Sequence, residues 1–220
     1  MTARASHTSH QMIAPEGWPF VLVPLCAAAV AGALGWLPLA VCLAACAAFS
    51  LFFFRNPRRE CSASADVACS PADGKVIACG VAPDGMAPAG LPVRVSVFMS
   101  VFSVHVNRAP IDATLADYSY NPGRTFAAYT DKASLVNEQN LSVWEGAAGR
   151  IGLKQIAGVI ARRIVFDHRP GAVVRRGDRI GLIRFGSRVD VFLPVDAEIL
   201  VGIGDRLRAG ASPLARLGAR

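Results

Sequence analysis

An uncharged apolar stretch over residues 17–54 is the strongest constraint on the fold of this chain. It is interrupted at Gly35-Trp36-Leu37-Pro38, which leaves apolar halves at 20–34 and 37–54. Each half is at or below the roughly 20 residues that a helix needs to cross a bilayer core. The stretch therefore predicts a membrane-associated helical hairpin, either re-entering from one side or crossing as two short tilted spans.

Positive charges close the apolar stretch, at Arg55, Arg58 and Arg59. Basic residues beside a membrane segment favour the cytoplasmic side. We therefore expect a disordered tail at 1–16, a hairpin at 17–54 and a main domain on the cytoplasmic face of the cell membrane. A buried helix pair in a soluble protein is the alternative, and a cleaved signal peptide is disfavoured because the apolar stretch is too long.

The net charge of +7 lies after the apolar stretch, because Arg4 and Glu16 are the only charged residues before it ends. A basic domain beside a membrane anchor is attracted to anionic lipid headgroups. An ordinary solvated basic face is the other interpretation. Nucleic acid is not an expected partner, since no recognition motif accompanies the charge and aromatic residues are not interleaved with it.

Six cysteines are present, and three of them lie inside the apolar stretch. None forms a C-x-x-C motif or pairs with histidine at the spacing of metal ligands. We expect free thiols, which are typical of a reducing cytoplasmic compartment, and no metal.

After a linker at 55–69, residues 70–220 have the pattern of a mainly β domain, so the fold class is α+β. Short β-rich runs alternate with turn signals such as Asn121-Pro122-Gly123 and Gly177-Asp178. The predicted strands are 75–79, 93–102, 111–118, 141–144, 164–166, 179–185, 189–193 and 198–201. Residues 156–163 fit a helix or a strand equally well.

Two segments of this domain are similar, Pro71-Ala-Asp73-Gly-Lys-Val76 and Pro194-Val-Asp196-Ala-Glu-Ile199. Each has the pattern Pro-x-Asp-x-x-aliphatic. The similarity suggests a duplicated β unit, as in barrel-sandwich-hybrid folds.

Gly186-Ser187 is the pair with the most specific chemistry, because a strained turn can aim a serine hydroxyl at the preceding carbonyl. By itself a Gly-Ser pair is usually an ordinary turn. His105 lies in a run of β-forming residues and is the candidate base, although a lone histidine there is more often structural. Asp73 sits in a Pro-Ala-Asp-Gly-Lys turn, where aspartate commonly has only a local role.

Together with the segments that surround them, Asp73, His105 and Gly186-Ser187 resemble the phosphatidylserine decarboxylase proenzyme family in its short form. The order and spacing of the segments match, and they follow an apolar hairpin that ends in Phe54-Arg55-Asn56-Pro57-Arg58. The segments are 71–76, 98–100 with 104–108, 131–134 with 137–138, 158 with 161–165, and 181 with 184–190. Larger members have Leu-Gly-Ser-Thr where this chain has Phe-Gly-Ser-Arg, and a second histidine where this chain has Arg108.

The resemblance implies autocatalytic cleavage between Gly186 and Ser187, which converts Ser187 into a pyruvoyl group. That group then forms a Schiff base with phosphatidylserine, and phosphatidylethanolamine and CO2 are released. His105 is the expected base and proton donor, and Asp73 the residue that orients it, as in a Ser-His-Asp arrangement. The cofactor is the pyruvoyl group alone, without a metal or pyridoxal phosphate. The two products, 1–186 and 187–220, are expected to stay together as a heterodimer.

Two alternatives remain open at this point. A pyruvoyl decarboxylase of another amine would keep the same chemistry with a different substrate. A membrane-anchored carrier or adaptor with a lipoyl-like domain would use Lys132, because Asp131-Lys132-Ala133 is similar to a lipoyl attachment site.

Overall fold

The computed structural model describes residues 11–123, 137–158, 163–166, 168–184 and 186–218. It divides the chain into a helical unit at 7–58 and a β-rich unit that contains 59–220. Lys132 of the lipoyl alternative and Phe185 of the predicted cleavage motif lie outside the described residues.

The helical unit consists of a 3-10 turn at Pro15–Gly17, helix α1 at Trp18–Ala33 and helix α2 at Leu37–Phe53. Both helices are built from alanine and other apolar residues, and proline occupies the first turn of each, where its missing N–H costs no hydrogen bond. The predicted helical pair is confirmed. Among the described residues, one helical stretch, Pro15–Ala33, is long and apolar enough to cross a membrane, and α2 is shorter.

The described residues of the β-rich unit contain fourteen strands, all paired in antiparallel fashion. They are β1 Val67–Cys69, β2 Gly74–Val81, β3 Val93–Met99, β4 Val106–Arg108, β5 Ala113–Asn121, β6 Gln139–Gly146, β7 Gly149–Ile156, β8 Ile164–Val165, β9 Val173–Val174, β10 Arg179–Ile183, β11 Ser187–Leu193, β12 Glu198–Ile199, β13 Arg206–Leu207 and β14 Pro213–Arg216. The mainly β, α+β class expected from the sequence is therefore confirmed.

The strands in the described part of the chain form three sheets. The largest has the order β13-β2-β3-β11-β7-β6-β5-β9, and the smaller two are β1-β14-β12 and β4-β10-β8. The two similar Pro-x-Asp segments enter strands in different sheets, since β2 belongs to the large sheet and β12 to a small one. Duplication of a β unit stays a prediction.

Alternate residues of each strand point to opposite faces of the large sheet. One of these faces carries the hydrophobic core. Val95, Val97, Val189, Val191 and Leu153 lie on this core face and are at most 1% exposed.

The opposite face of β11 carries charge below the surface. Arg188 and Asp190 form an ion pair there, with Lys154 directly across from Asp190 on β7. Lys154 Nζ donates to the carbonyl oxygen of Met86 at 3.0 Å. The loop that contains Met86 thus closes over the charged face.

Two expectations for residues 55–69 need correction. Cys61 and Cys69 form a disulfide, so the expectation of free thiols is wrong for this pair, while Cys26, Cys42, Cys46 and Cys79 are free. The linker also ends in strand β1, which pairs with β14. The spacing of the cysteines in the sequence did not predict the disulfide, because only the folded path of the chain between Cys61 and Cys69 brings the two thiols together.

Candidate active site

The strand register brings two loops of the β-rich unit to the same place. Ser187, the first residue of β11, pairs with Met99, the last residue of β3. On the adjoining small sheet Leu182 of β10 pairs with Val106 of β4, and Ile183 N donates to the carbonyl oxygen of His105 at 3.3 Å. The loop before β4 therefore meets the loop before β11, and the sheet brings the histidine segment beside the Gly-Ser bond.

Gly186 has a left-handed backbone conformation. Its φ is +63°, in the left-handed region that glycine adopts without strain. A Cβ built on Gly186 would meet nothing within 4 Å, so the space beside this residue is open. The peptide bond that follows is therefore accessible on the glycine side.

Ser187 is fully buried, and its hydroxyl has a weak acceptor. Oγ donates to Met99 Sδ at 3.6 Å, and its residue is 0% exposed. A thioether sulfur binds a hydroxyl hydrogen less strongly than a carbonyl oxygen does. The hydroxyl of Ser187 can thus be turned towards another acceptor at little cost.

His105 is also fully buried, and one ring nitrogen identifies its tautomer. Nδ1 lies 3.0 Å from the carbonyl oxygen of Ser103. Because a carbonyl oxygen only accepts, Nδ1 carries the hydrogen in the neutral ring. The lone pair is then on Nε2, which makes that atom the basic one.

Asp73 lies near this region but forms other bonds. Its Oδ1 and Oδ2 accept from Arg59 Nη1 at 2.5 Å and Nη2 at 3.0 Å, and Oδ1 also accepts from Ala209 N at 2.7 Å. Within the described part of the chain, the structure does not bring Asp73 into hydrogen-bond contact with His105. Its role in orienting the histidine stays a prediction, with no contact in its support.

Arg108 occupies the position at which larger family members have a second histidine. Its Nη1 donates to the carbonyl oxygen of Gly177 at 2.8 Å, and its residue is 4% exposed. Burial, followed by the nearby Arg59, lowers the pKa of Arg108. The residue fastens the end of β4 to the turn before β10.

A chain of three buried amides ends beside Met99, and the sequence did not single it out. Asn140 Nδ2 donates to Gln155 Oε1 at 2.9 Å, and Gln155 Nε2 donates to Asn107 Oδ1 at 2.6 Å. Asn107 Nδ2 lies 3.7 Å from Met99 Sδ. A signal was present, because alternation along Leu153-Lys-Gln155 places a glutamine on the apolar face of β7.

Other residues of the family-like segments have structural partners. Asn137 Nδ2 donates to the carbonyl oxygen of Ala157 at 2.8 Å. Glu138 Oε1 accepts from Tyr120 Oη at 3.0 Å and from Ile164 N at 3.2 Å. Residues 131–134 and 161–162 lie outside the described residues. The described residues contain no group of three or more His, Cys, Asp or Glu side chains that could hold a metal ion.

Comparison with known proteins identifies the family of this chain. The sequence model of the phosphatidylserine decarboxylase family matches residues 46–215. The chain is 45% identical over 209 residues to the phosphatidylserine decarboxylase proenzyme of Magnetococcus marinus, covering 94% of this chain and 95% of the relative. It is 48% identical over 200 residues to the protein of the same name from Solibacter usitatus, covering 90% of this chain and 93% of the relative.

The fold and the matched relatives define a decarboxylase precursor, a lyase zymogen of phospholipid metabolism. The chain belongs to the phosphatidylserine decarboxylase family.

Proposed function

We propose that this protein converts phosphatidylserine to phosphatidylethanolamine and CO2, using a pyruvoyl group that it makes from its own Ser187. The observation that carries the proposal is the pair formed by Gly186, left-handed with open space beside it, and Ser187, fully buried. The names of the matched relatives support both the substrate and the existence of a precursor.

Self-cleavage begins with transfer of an acyl group within the chain. Ser187 Oγ attacks the carbonyl carbon of Gly186, the peptide C–N bond breaks, and an ester with a free Ser187 amine results. Loss of the Ser187 α-proton then breaks the Cβ–Oγ bond and releases Gly186 as a carboxylate. Water hydrolyses the remaining dehydroalanine, ammonia leaves, and the new chain begins with a pyruvoyl cap.

His105 is the group suited to take the proton of Ser187. A serine hydroxyl is a weak nucleophile at neutral pH and needs a base within reach. The Nδ1 hydrogen bond to Ser103 leaves the lone pair on Nε2, and the register places His105 on the loop that meets the one before Ser187. Histidine has the right pKa range to give the proton back later.

The residues around position 187 fit a pyruvoyl group. The change removes the serine hydroxyl and amine, so it needs no additional space in a site that already buries Ser187 completely. When present, the group supplies a carbonyl that binds a primary amine and accepts the electrons released on loss of CO2. His105 would return a proton to the substrate carbon, and the buried surroundings would exclude water.

The two products of cleavage are expected to remain one molecule. β11 lies between β3 and β7 in the large sheet, and all its residues are buried. The same C-terminal piece supplies β13 to β2 and β14 to β1. A heterodimer of 1–186 and 187–220 is therefore proposed, held together in the described residues by four strand pairings between the two pieces.

Membrane binding through the helical unit supports a lipid substrate, because a diacyl lipid seldom leaves the bilayer. α1 and α2 expose apolar side chains such as Val30 and Val41 to their surroundings. The basic charge of the chain favours an anionic membrane surface. We propose that the enzyme works at the cytoplasmic face of the cell membrane.

Intact-mass spectrometry of the purified protein tests the proposal. We expect two chains, with the smaller one starting at residue 187 and carrying a pyruvoyl cap in place of its amine. Ser187→Ala should give a single uncut chain without decarboxylase activity. The wild-type protein should release CO2 from phosphatidylserine in detergent micelles and not from free serine. A processed Ser187→Ala chain, or wild-type protein that stays uncut, would overturn the proposal.

A further inference from the structure

The direction of the buried amide chain is set at its Asn107 end. Asn107 Nδ2 lies 3.5 Å from the carbonyl oxygen of Pro71, which can only accept a hydrogen bond. The oxygen of the same amide must therefore face Gln155, whose Nε2 donates to it at 2.6 Å. Gln155 Oε1 then faces Asn140 Nδ2 at 2.9 Å. The three amides thus have one consistent orientation, in which each NH2 group lies on the side nearer to Met99.

This orientation determines which acceptor meets the hydroxyl of Ser187. Asn107 Nδ2 and Ser187 Oγ both point at Met99 Sδ, at 3.7 Å and 3.6 Å. If the Asn107 amide turned over, its oxygen would lie on the Met99 side. An amide oxygen is a much stronger acceptor than a thioether, so it would hold the hydroxyl hydrogen that the base must remove.

We propose that Asn140 and Gln155 are positioning residues for self-cleavage, which act by keeping the oxygen of Asn107 turned away from Ser187. This inference rests on the proposed function, since it concerns the step that makes the pyruvoyl group. All three amides are at most 1% exposed, so water does not compete for their hydrogen bonds. Neither Asn140 nor Gln155 needs to contact the reacting atoms to have this effect.

Asn140→Asp tests the proposal because an ionised carboxylate accepts hydrogen bonds and donates none. Gln155 must then turn its Nε2 to the new carboxylate and present its oxygen to Asn107. Asn107 must then donate its Nδ2 to Gln155, and this turns the Asn107 oxygen towards Met99. Asn140→Leu is the matched variant, because it removes one hydrogen bond while Pro71 still fixes the direction of the other two amides.

The measurement is the rate at which newly synthesised precursor is cut, followed by intact mass. We expect Asn140→Asp to be cut about tenfold more slowly than Asn140→Leu, the equivalent of one poorly satisfied buried group. Ser96→Ala is the control for substitution of a buried polar residue elsewhere in the sheet, since Ser96 is 0% exposed and lies on the face of β3 opposite to Met99. Gln155→Glu places a carboxylate directly beside Asn107 and should also be cut slowly. This variant tests the same proposal if Asn140→Asp does not fold.

A pH profile separates this role from a general loss of stability. Protonation of the new carboxyl restores a donor, so the rate of Asn140→Asp relative to wild type should recover as the pH falls. The groups that face position 140 are Tyr118 and Tyr120 on β5 and Glu138 immediately before β6, with Arg163 acting on Tyr120. Burial raises the pKa of both tyrosines, so they stay neutral throughout the experiment, and Glu138 favours the protonated new carboxyl.

The outcomes distinguish this inference from the proposed function. Equal cutting rates for Asn140→Asp and Asn140→Leu at every pH would overturn the amide proposal while leaving self-cleavage intact. Wild-type protein that is never cut would instead overturn the proposed function.

Discussion

Arg188 and Asp190 form a two-point ion pair below the surface of the sheet, with Nε to Oδ1 at 2.6 Å and Nη2 to Oδ2 at 2.8 Å. Their side chains are 1% and 0% exposed. The pair begins one residue after the predicted cleavage point, on the face of β11 opposite to Ser187. The ion pair therefore anchors the beginning of strand β11, directly after Ser187.

Removing the carboxylate should destabilise the protein strongly. Asp190→Asn removes the carboxylate that pairs with the buried Arg188 charge, and we expect a loss of about 3 to 5 kcal/mol in the free energy of unfolding. Urea unfolding of the uncut Ser187→Ala chain measures it. Glu198→Gln, which breaks an exposed pair with Arg216, is the control and should cost less than about 1 kcal/mol. Similar losses in both variants would show that burial of the pair is unimportant.

Loss of His105 should stop or greatly slow self-cleavage. Without a base near Ser187, we expect His105→Ala to be cut at least about 100-fold more slowly than wild type. The appearance of the 187–220 chain over time, measured by intact mass, checks this. His168→Ala is the matched control, because His168 contacts the carbonyl oxygen of Arg179 instead and should leave cutting in place. Normal cutting of His105→Ala would remove the histidine from the mechanism.

Substitutions of Asp73 and Arg59 should have non-additive effects on stability. Since the carboxylate bonds Arg59 and Ala209 N, we expect Asp73→Asn and Arg59→Ala each to cost about 1 to 3 kcal/mol of stability. The double variant should lose less than the sum of the two, because both remove the same interaction. If Asp73 instead orients His105 directly, Asp73→Asn alone would slow cutting, and Arg59→Ala would not.

Stability should depend on pH through Lys154. Burial lowers the pKa of this amine in the folded protein, with Asp190 acting in the opposite direction. Between that lowered pKa and the ordinary lysine pKa of 10.5, the unfolded chain binds the proton and the folded chain does not. Stability contributed by this group therefore rises with pH across that window.

Lys154→Met removes this contribution. Urea midpoints of the uncut Ser187→Ala chain, with and without the substitution, should be compared at increasing pH. We expect any stability advantage of the methionine variant to shrink as the pH approaches 10.5. A constant difference across the alkaline range would show that Lys154 stays protonated in the fold.

Membrane association should depend on the apolar surface of the helical unit. Val30 of α1 is 61% exposed, and a charged residue in a membrane helix costs about 2.5 to 3.5 kcal/mol at its centre. Val30→Asp should therefore reduce flotation with vesicles of anionic lipid. Met12→Asp is the control, since Met12 is 81% exposed but precedes the helices. Equal flotation of both variants and wild type would contradict membrane binding through α1.

The sequence predicted the features that depend on neighbouring residues. The helical pair follows from an apolar stretch with a Gly-Trp-Leu-Pro interruption, and the Gly186-Ser187 chemistry is contained in two adjacent residues. β7 was missed because Gly149, Gly152, Lys154 and Gln155 make it unlike a buried strand. The structure shows why Gly152 is there, since a Cβ at this position would crowd Pro88, Phe192 and Leu91.

Contacts between distant residues could not be predicted in the same way. The carboxylate of Asp73 was expected near His105 because both occur in family-like segments, yet it bonds Arg59 from the segment before it. The strand predicted at 93–102 ends at Met99, where β3 gives way to the loop that carries His105. These outcomes depend on where strands end and which loops meet, and hydrophobic alternation does not encode either.

The position of β11 in the middle of the large sheet has a consequence for the lifetime of the protein. If the chain is cut before Ser187, the sheet first forms within one continuous polypeptide. After the cut, two polypeptides share it. Unfolding of the mature form would then separate its strands into independent molecules, and their reassembly would depend on concentration. The precursor would fold as a single chain, and the mature enzyme would inherit an arrangement that it could not readily rebuild.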